Sequence, residues 1–89
     1  MYLIMVYDVG VKRVAKVLKT ARKYLTHIQN SVLEGELTPN QFRRLQKELH
    51  DIIDVQHDAI LFYTSHTQRM VRRQSLGRVA VDPEENILD

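Results

Sequence analysis

Asp8 is a lone carboxylate at the end of the apolar run Tyr2-Leu3-Ile4-Met5-Val6-Tyr7 and just before a turn marked by Gly10. Strand ends in α/β units are where sites are commonly placed. In a dimer whose two first strands lie near one another, two copies of Asp8 come together, and magnesium is often held by one or two carboxylates completed by water and phosphate. Such a centre activates water for phosphodiester cleavage. The same carboxylate can instead cap the first turn of a following helix, and on the residues alone that is the commoner outcome.

The second feature with chemical content is electrostatic. Lys12, Arg13, Lys16, Lys19, Arg22 and Lys23 occur with no acidic residue between Val9 and Leu33. On a helical wheel Lys12, Lys16, Lys19 and Lys23 form one stripe opposite the apolar face, able to track phosphates and to bind nucleic acid in a sequence-independent, salt-sensitive way. A basic stripe is more often a solvated face. The missing acidic partners set this one apart, because soluble surfaces usually mix both signs. Arg69, Arg72, Arg73 and Arg78 add a second basic cluster.

Other chemistries drop out. The chain has no cysteine, which excludes disulfides, thiolate zinc sites and cysteine nucleophiles and is compatible with a reducing cytoplasm. His27, His50, His57 and His66 show no paired metal spacing, and neither Ser31 nor Ser65 sits in a nucleophile-elbow motif. Neither a dinucleotide fingerprint nor a Walker sequence is present. The opening apolar run is cut off by Asp8 far short of a membrane span, and no basic region precedes it as in a signal peptide.

Several elements must position these residues. Tyr2 to Tyr7 reads as a first strand, apolar on both faces. Val14, Val17, Leu18, Ala21 and Leu25 recur at helical spacing and predict an amphipathic helix from Val11 to Leu25. Thr26 to Glu34 has the β-branched content of a second strand, with Gly35 marking a bulge or bend near its end. Thr38-Pro39-Asn40-Gln41 carries the signature of a capped helix start, and Phe42, Leu45, Leu49, Ile52 and Ile53 give that helix an apolar face running to about Val55. Asp58 to Thr64 reads as a third strand. Met70 to Arg73 and Arg78 to Val81 are two weaker candidates, the latter bounded by Gly77 and Pro83.

With 89 residues, 44% of them hydrophobic and 27% charged, the chain fits one globular domain with an ordinary core. The 13 basic and 11 acidic residues nearly balance, so the distribution of charge says more than its sum. The order of elements is best satisfied by an α+β, ferredoxin-like β-α-β-β-α-β sandwich over residues 1–82, both helices on one face, followed by a tail over 83–89. Helices on one face leave the other side of the first and third strands uncovered. So much apolar surface implies a partner, and the simplest is a second copy related by a two-fold axis.

The chain also resembles a known family. Tyr2 to Asp8 looks like that family's first strand with its terminal Y-D. Ile28-Gln29-Asn30-Ser31-Val32-Leu33-Glu34-Gly35-Glu36-Leu37 looks like its I-Q-x-S-V-F-E-G-x-L signature. Asp58 to Tyr63 resembles its third strand, and Gly77 the glycine before its last. The resemblance covers about positions 1 to 82, and the family is CRISPR-associated protein 2. It implies a ferredoxin-like homodimer in which the last strand of each chain pairs onto its partner's sheet. It further implies a cytoplasmic subunit of spacer acquisition that binds duplex prespacer DNA and bridges dimers of the integrase, CRISPR-associated protein 1. Lys12, Arg13, Lys16, Lys19 and Lys23 are the DNA-binding candidates. The family is also described as a magnesium-dependent endonuclease on RNA or DNA, with Asp8 matching its catalytic metal ligand. Three departures, a short turn after Asp8, His27 where arginine is common and Leu33 where Phe is usual, bear on cleavage more than on binding. A toxin-like endoribonuclease of the same fold is the alternative; an RNA-recognition module lacks its stacking pattern here.

Overall fold

A computed structural model describes residues 1–67 and 70–78. The chain runs β1 (Tyr2–Asp8), α1 (Val11–Ala21), β2 (Thr26–Gln29), β3 (Val32–Glu36), α2 (Pro39–His50), β4 (Ala59–Thr67) and β5 (Met70–Gly77). The five strands form one antiparallel sheet in the order β2-β3-β1-β4-β5. This is the expected α+β, ferredoxin-like arrangement, extended by β5 as a hairpin on its own chain's β4.

Strand alternation divides β1 between two environments, because successive side chains point to opposite faces. Leu3, Met5 and Tyr7 are buried beneath the helices, while Ile4 and Val6 are half-buried on the helix-free side. In β4, Ile60, Phe62 and Thr64 are buried, and Leu61 and Tyr63 occupy the opposite face beside Val6 and Ile4. The core closes with Val17 and Ala21 of α1 and Phe42, Leu45 and Leu49 of α2. Phe42 meets Phe62 edge to face, with centroids 5.1 Å apart.

α2 starts as its residues dictate: Thr38 Oγ1 accepts from the Gln41 amide at 3.1 Å, Gln41 Oε1 accepts from the Thr38 amide at 2.9 Å, and Pro39 fills the first turn. It ends at His50 rather than near Val55, although Ile53 still reaches the core just beyond it. α1 likewise closes at Ala21, and residues 22–25 taper off through turn hydrogen bonds to Leu18, Thr20 and Ala21 carbonyls.

The single strand expected over Thr26 to Glu34 is instead a hairpin, turned at Asn30 with φ 28°. Asparagine tolerates that left-handed region better than other side chains. The register shift falls in β2, between His27 and Gln29, whereas Gly35 lies inside β3, where a Cβ would press to 3.1 Å from Leu25. β5 is longer than the expected Met70 to Arg73 and continues to Gly77. Most of the strand expected at Arg78 to Val81, and with it the expected pairing onto a partner sheet and the tail 83–89, lies outside the described residues.

Candidate nucleic-acid interface and metal centre

The turn from β1 into α1 has no side-chain cap of its own. Gly10 occupies the N-cap position, its carbonyl accepting from the Arg13 and Val14 amides, and no side chain caps the helix. Asp58, fully buried directly before β4, ties this turn down from outside the helix. Its Oδ1 accepts from the Gly10 amide at 2.9 Å and from Arg13 Nη2 at 2.9 Å, and its Oδ2 accepts from Arg13 Nε at 2.5 Å and from the Asp54 amide at 2.9 Å. Four donors around one carboxylate make its burial tolerable. They also hold its pKa well below the ordinary carboxylate range, the Arg13 hydrogen bonds contributing most against the opposing effect of burial. The guanidinium in turn is held more firmly charged by the same bonds.

Asp8 therefore does not cap α1. It stands opposite Ala59 at the end of β1 with a highly exposed side chain, and Arg78 Nη2 donates to its Oδ2 at 2.8 Å. Arg78 is itself anchored, its amide donating to the Asp58 carbonyl at 2.7 Å.

The basic residues of α1 separate into two groups. Lys12, Lys16 and Lys19 are exposed and have no ion pair among the described residues. Arg13 is committed to Asp58, and Lys23, beyond the end of the helix, donates to Glu48, which also accepts from the Tyr24 hydroxyl. Those two hydrogen bonds lower the Glu48 pKa. The second basic cluster is dispersed by strand alternation: Arg72 is exposed on the helix side of β5, Arg73 is half-buried on the opposite side, and Arg78 lies against Asp8. Arg69 lies outside the described residues. Sequence reasoning missed the Asp58 centre, whose only visible signal was a carboxylate standing directly before an apolar strand.

Among the described residues no three histidines or acidic groups gather as a metal site. His57 Nδ1 instead pairs with Asp54 Oδ2 at 2.8 Å, and that hydrogen bond is the largest cause of the lowered Asp54 pKa. Asp8 offers a single exposed carboxylate, a hard oxygen ligand with Arg78 on its Oδ2. That donor set fits magnesium, which accepts few protein carboxylates and completes its shell with water and substrate phosphate.

The family model described as CRISPR associated protein Cas2 matches residues 1–73. The CRISPR-associated endoribonuclease Cas2 of Thermotoga maritima is 52% identical over 86% of this chain and 88% of its own length. Its namesake in Dictyoglomus turgidum is 50% identical over 99% of this chain and 100% of its own. Among solved structures, Streptococcus pyogenes Cas2 at pH 6.5 aligns with a TM-score of 0.69 and 34% identity, over 76% of this chain and 89% of that one.

Proposed function

Because the chain belongs to the CRISPR-associated Cas2 family, we propose that it is a homodimeric subunit of CRISPR spacer acquisition that holds duplex DNA along α1 and joins it to the integrase. The observation that carries this reading is the row of exposed lysines, Lys12, Lys16 and Lys19, without acidic partners among the described residues. A helix face of this kind meets successive phosphates without reading bases, so affinity is largely independent of sequence and falls steeply with salt. Replacing Lys12, Lys16 and Lys19 together by Glu is expected to weaken binding to unrelated duplexes alike, measured by fluorescence anisotropy across a salt series. Retained affinity at physiological salt would place the DNA on another surface.

The relatives' name supports a second activity, cleavage of RNA, and Asp8 is the residue that would carry it. Magnesium held at Asp8 would supply a Lewis acid and an activated water for phosphodiester hydrolysis. The chain's own part is to present the carboxylate, in an exposed position fixed by β1, and to surround it with the Arg78 guanidinium. Asp8→Asn keeps the shape and removes the charge, so magnesium-dependent cleavage of an oligoribonucleotide is expected to vanish while folding and DNA binding persist. Undiminished cleavage would exclude Asp8. Family membership favours this CRISPR reading over a toxin-like endoribonuclease of the same fold.

A further inference from the structure

Arg78 Nη2 donates to Oδ2 of Asp8 at 2.8 Å, and the fold places it there. Gly77 has φ +80°, a conformation side chains rarely adopt, and a Cβ there would lie 2.3 Å from the Asp58 carbonyl oxygen. That close approach delivers the Arg78 amide to the same carbonyl at 2.7 Å and turns the chain out of β5. The Asp58 carboxylate meanwhile fixes Gly10, two residues after Asp8. One buried residue thus holds both sides of the Asp8–Arg78 pair. The pair itself is open to solvent, with side-chain exposures of 83% for Asp8 and 41% for Arg78.

An exposed ion pair of this type is weak and readily exchanged. A divalent cation brought to Asp8 lies against the positive guanidinium and competes with it for the one carboxylate charge, whereas a polynucleotide brings phosphates that bind guanidinium bidentately. Resting on the reading of Asp8 as a metal ligand, we propose that Arg78 is a resident counter-ion that yields Asp8 to the divalent cation and passes to a substrate phosphate. It is a positioning and phosphate-binding residue: it keeps the carboxylate neutralised when no substrate is present, and it couples cation entry to polynucleotide binding. The exchange breaks the Arg78–Asp8 hydrogen bond and leaves every covalent bond intact.

The experiment uses the full chain, labelled with nitrogen-15, and follows Mn2+-induced broadening of the Val9 and Gly10 amide resonances without nucleic acid. Arg78→Gln is expected to lower the Mn2+ concentration for half-broadening roughly two- to five-fold, the size of one exposed ion pair. Asp8→Asn should abolish the broadening, and the undisturbed remainder of each spectrum reports that the variant is folded. Equal broadening in wild type and Arg78→Gln, with loss in Asp8→Asn, overturns the role of Arg78 and leaves the metal reading intact. Broadening that survives Asp8→Asn, or is absent from wild type and Arg78→Gln alike, overturns both. For the second half of the exchange, binding of a non-cleavable 2′-O-methyl oligoribonucleotide with Mg2+ is measured across salt concentrations. The negative slope of log affinity against log salt should become shallower by about 0.7 in Arg78→Gln, the loss of one single-strand phosphate contact. An unchanged slope overturns the transfer to phosphate.

Discussion

The Arg13 guanidinium grips the Asp58 carboxylate with two nitrogens, Nε at 2.5 Å and Nη2 at 2.9 Å, and so ties the first turn of α1 to the start of β4 across 45 residues of sequence. The carboxylate is fully buried and the guanidinium partly so. Removing one member of such a pair leaves an uncompensated charge inside the protein, which is far more costly than losing a surface contact. Arg13→Ala is therefore expected to lower the melting temperature by roughly 10 °C or more. Thermal unfolding followed by circular dichroism checks this. A loss as small as that of a surface substitution would show that water replaces the guanidinium.

The same centre sets an acid limit. Asp58 has its pKa depressed in the folded protein, first by the Arg13 hydrogen bonds, so the unfolded chain binds more protons as pH falls below the ordinary aspartate value of about 3.9. Its stabilisation is complete above about pH 5 and is withdrawn progressively as pH drops toward the folded-state value. Melting temperature is expected to be flat in this respect above pH 5 and to fall below pH 4. In Asp58→Asn, which starts less stable, the fall below pH 4 should be shallower. Equal acid slopes in the two proteins would assign the acid sensitivity to other carboxylates.

Gly77 gives a third test. An alanine there must hold φ near +80° and push its Cβ against the backbone carbonyl oxygen of Asp58, 2.3 Å away, which no side-chain motion can relieve. Gly77→Ala is expected to destabilise the fold measurably and to speed hydrogen exchange at the Arg78 amide, whose acceptor is that carbonyl. Unchanged protection at Arg78 would mean that β4 and β5 shift together without cost.

What could be read from the residues was whatever depends on near neighbours. The Thr38–Gln41 capping box and the apolar run Tyr2–Tyr7 are local patterns, and the structure turns them into a helix start and a strand. The hairpin at Asn30 was hidden because β-branched residues continue on either side of a turn that lacks an Asn-Gly or Asp-Gly pair. β5 was under-read because Arg72-Arg73-Gln74-Ser75 shows no apolar alternation, as suits a strand with a largely solvated course. The site was legible by residue type and not by partnership. Helical spacing placed Lys12, Arg13, Lys16 and Lys19 on α1, yet nothing local distinguishes the free lysines from Arg13, whose partner lies 45 residues away.

The helix-free face supplies the last prediction. Ile4, Val6, Leu61 and Tyr63 lie side by side there, each half-buried, with Val32 beside Val6 on β3. Arg73 lies on the same face, and its Nη1 is buried with no hydrogen-bond partner among the described residues. Apolar area and an unsatisfied donor on one surface are what a second copy packed sheet to sheet would cover and satisfy. Leu61→Glu places a charge in the middle of that surface without disturbing the Ile60 and Phe62 side of β4, which faces the helices. Sedimentation equilibrium is expected to show a dimer for the wild type at micromolar concentration and a folded monomer for Leu61→Glu, because burying two added carboxylates, one from each copy, costs more than the remaining contacts supply. A Leu61→Glu protein that remains dimeric with the wild-type melting temperature would locate the interface away from this face, and a monomeric wild type would remove the reason for β1 and β4 to be apolar on both sides.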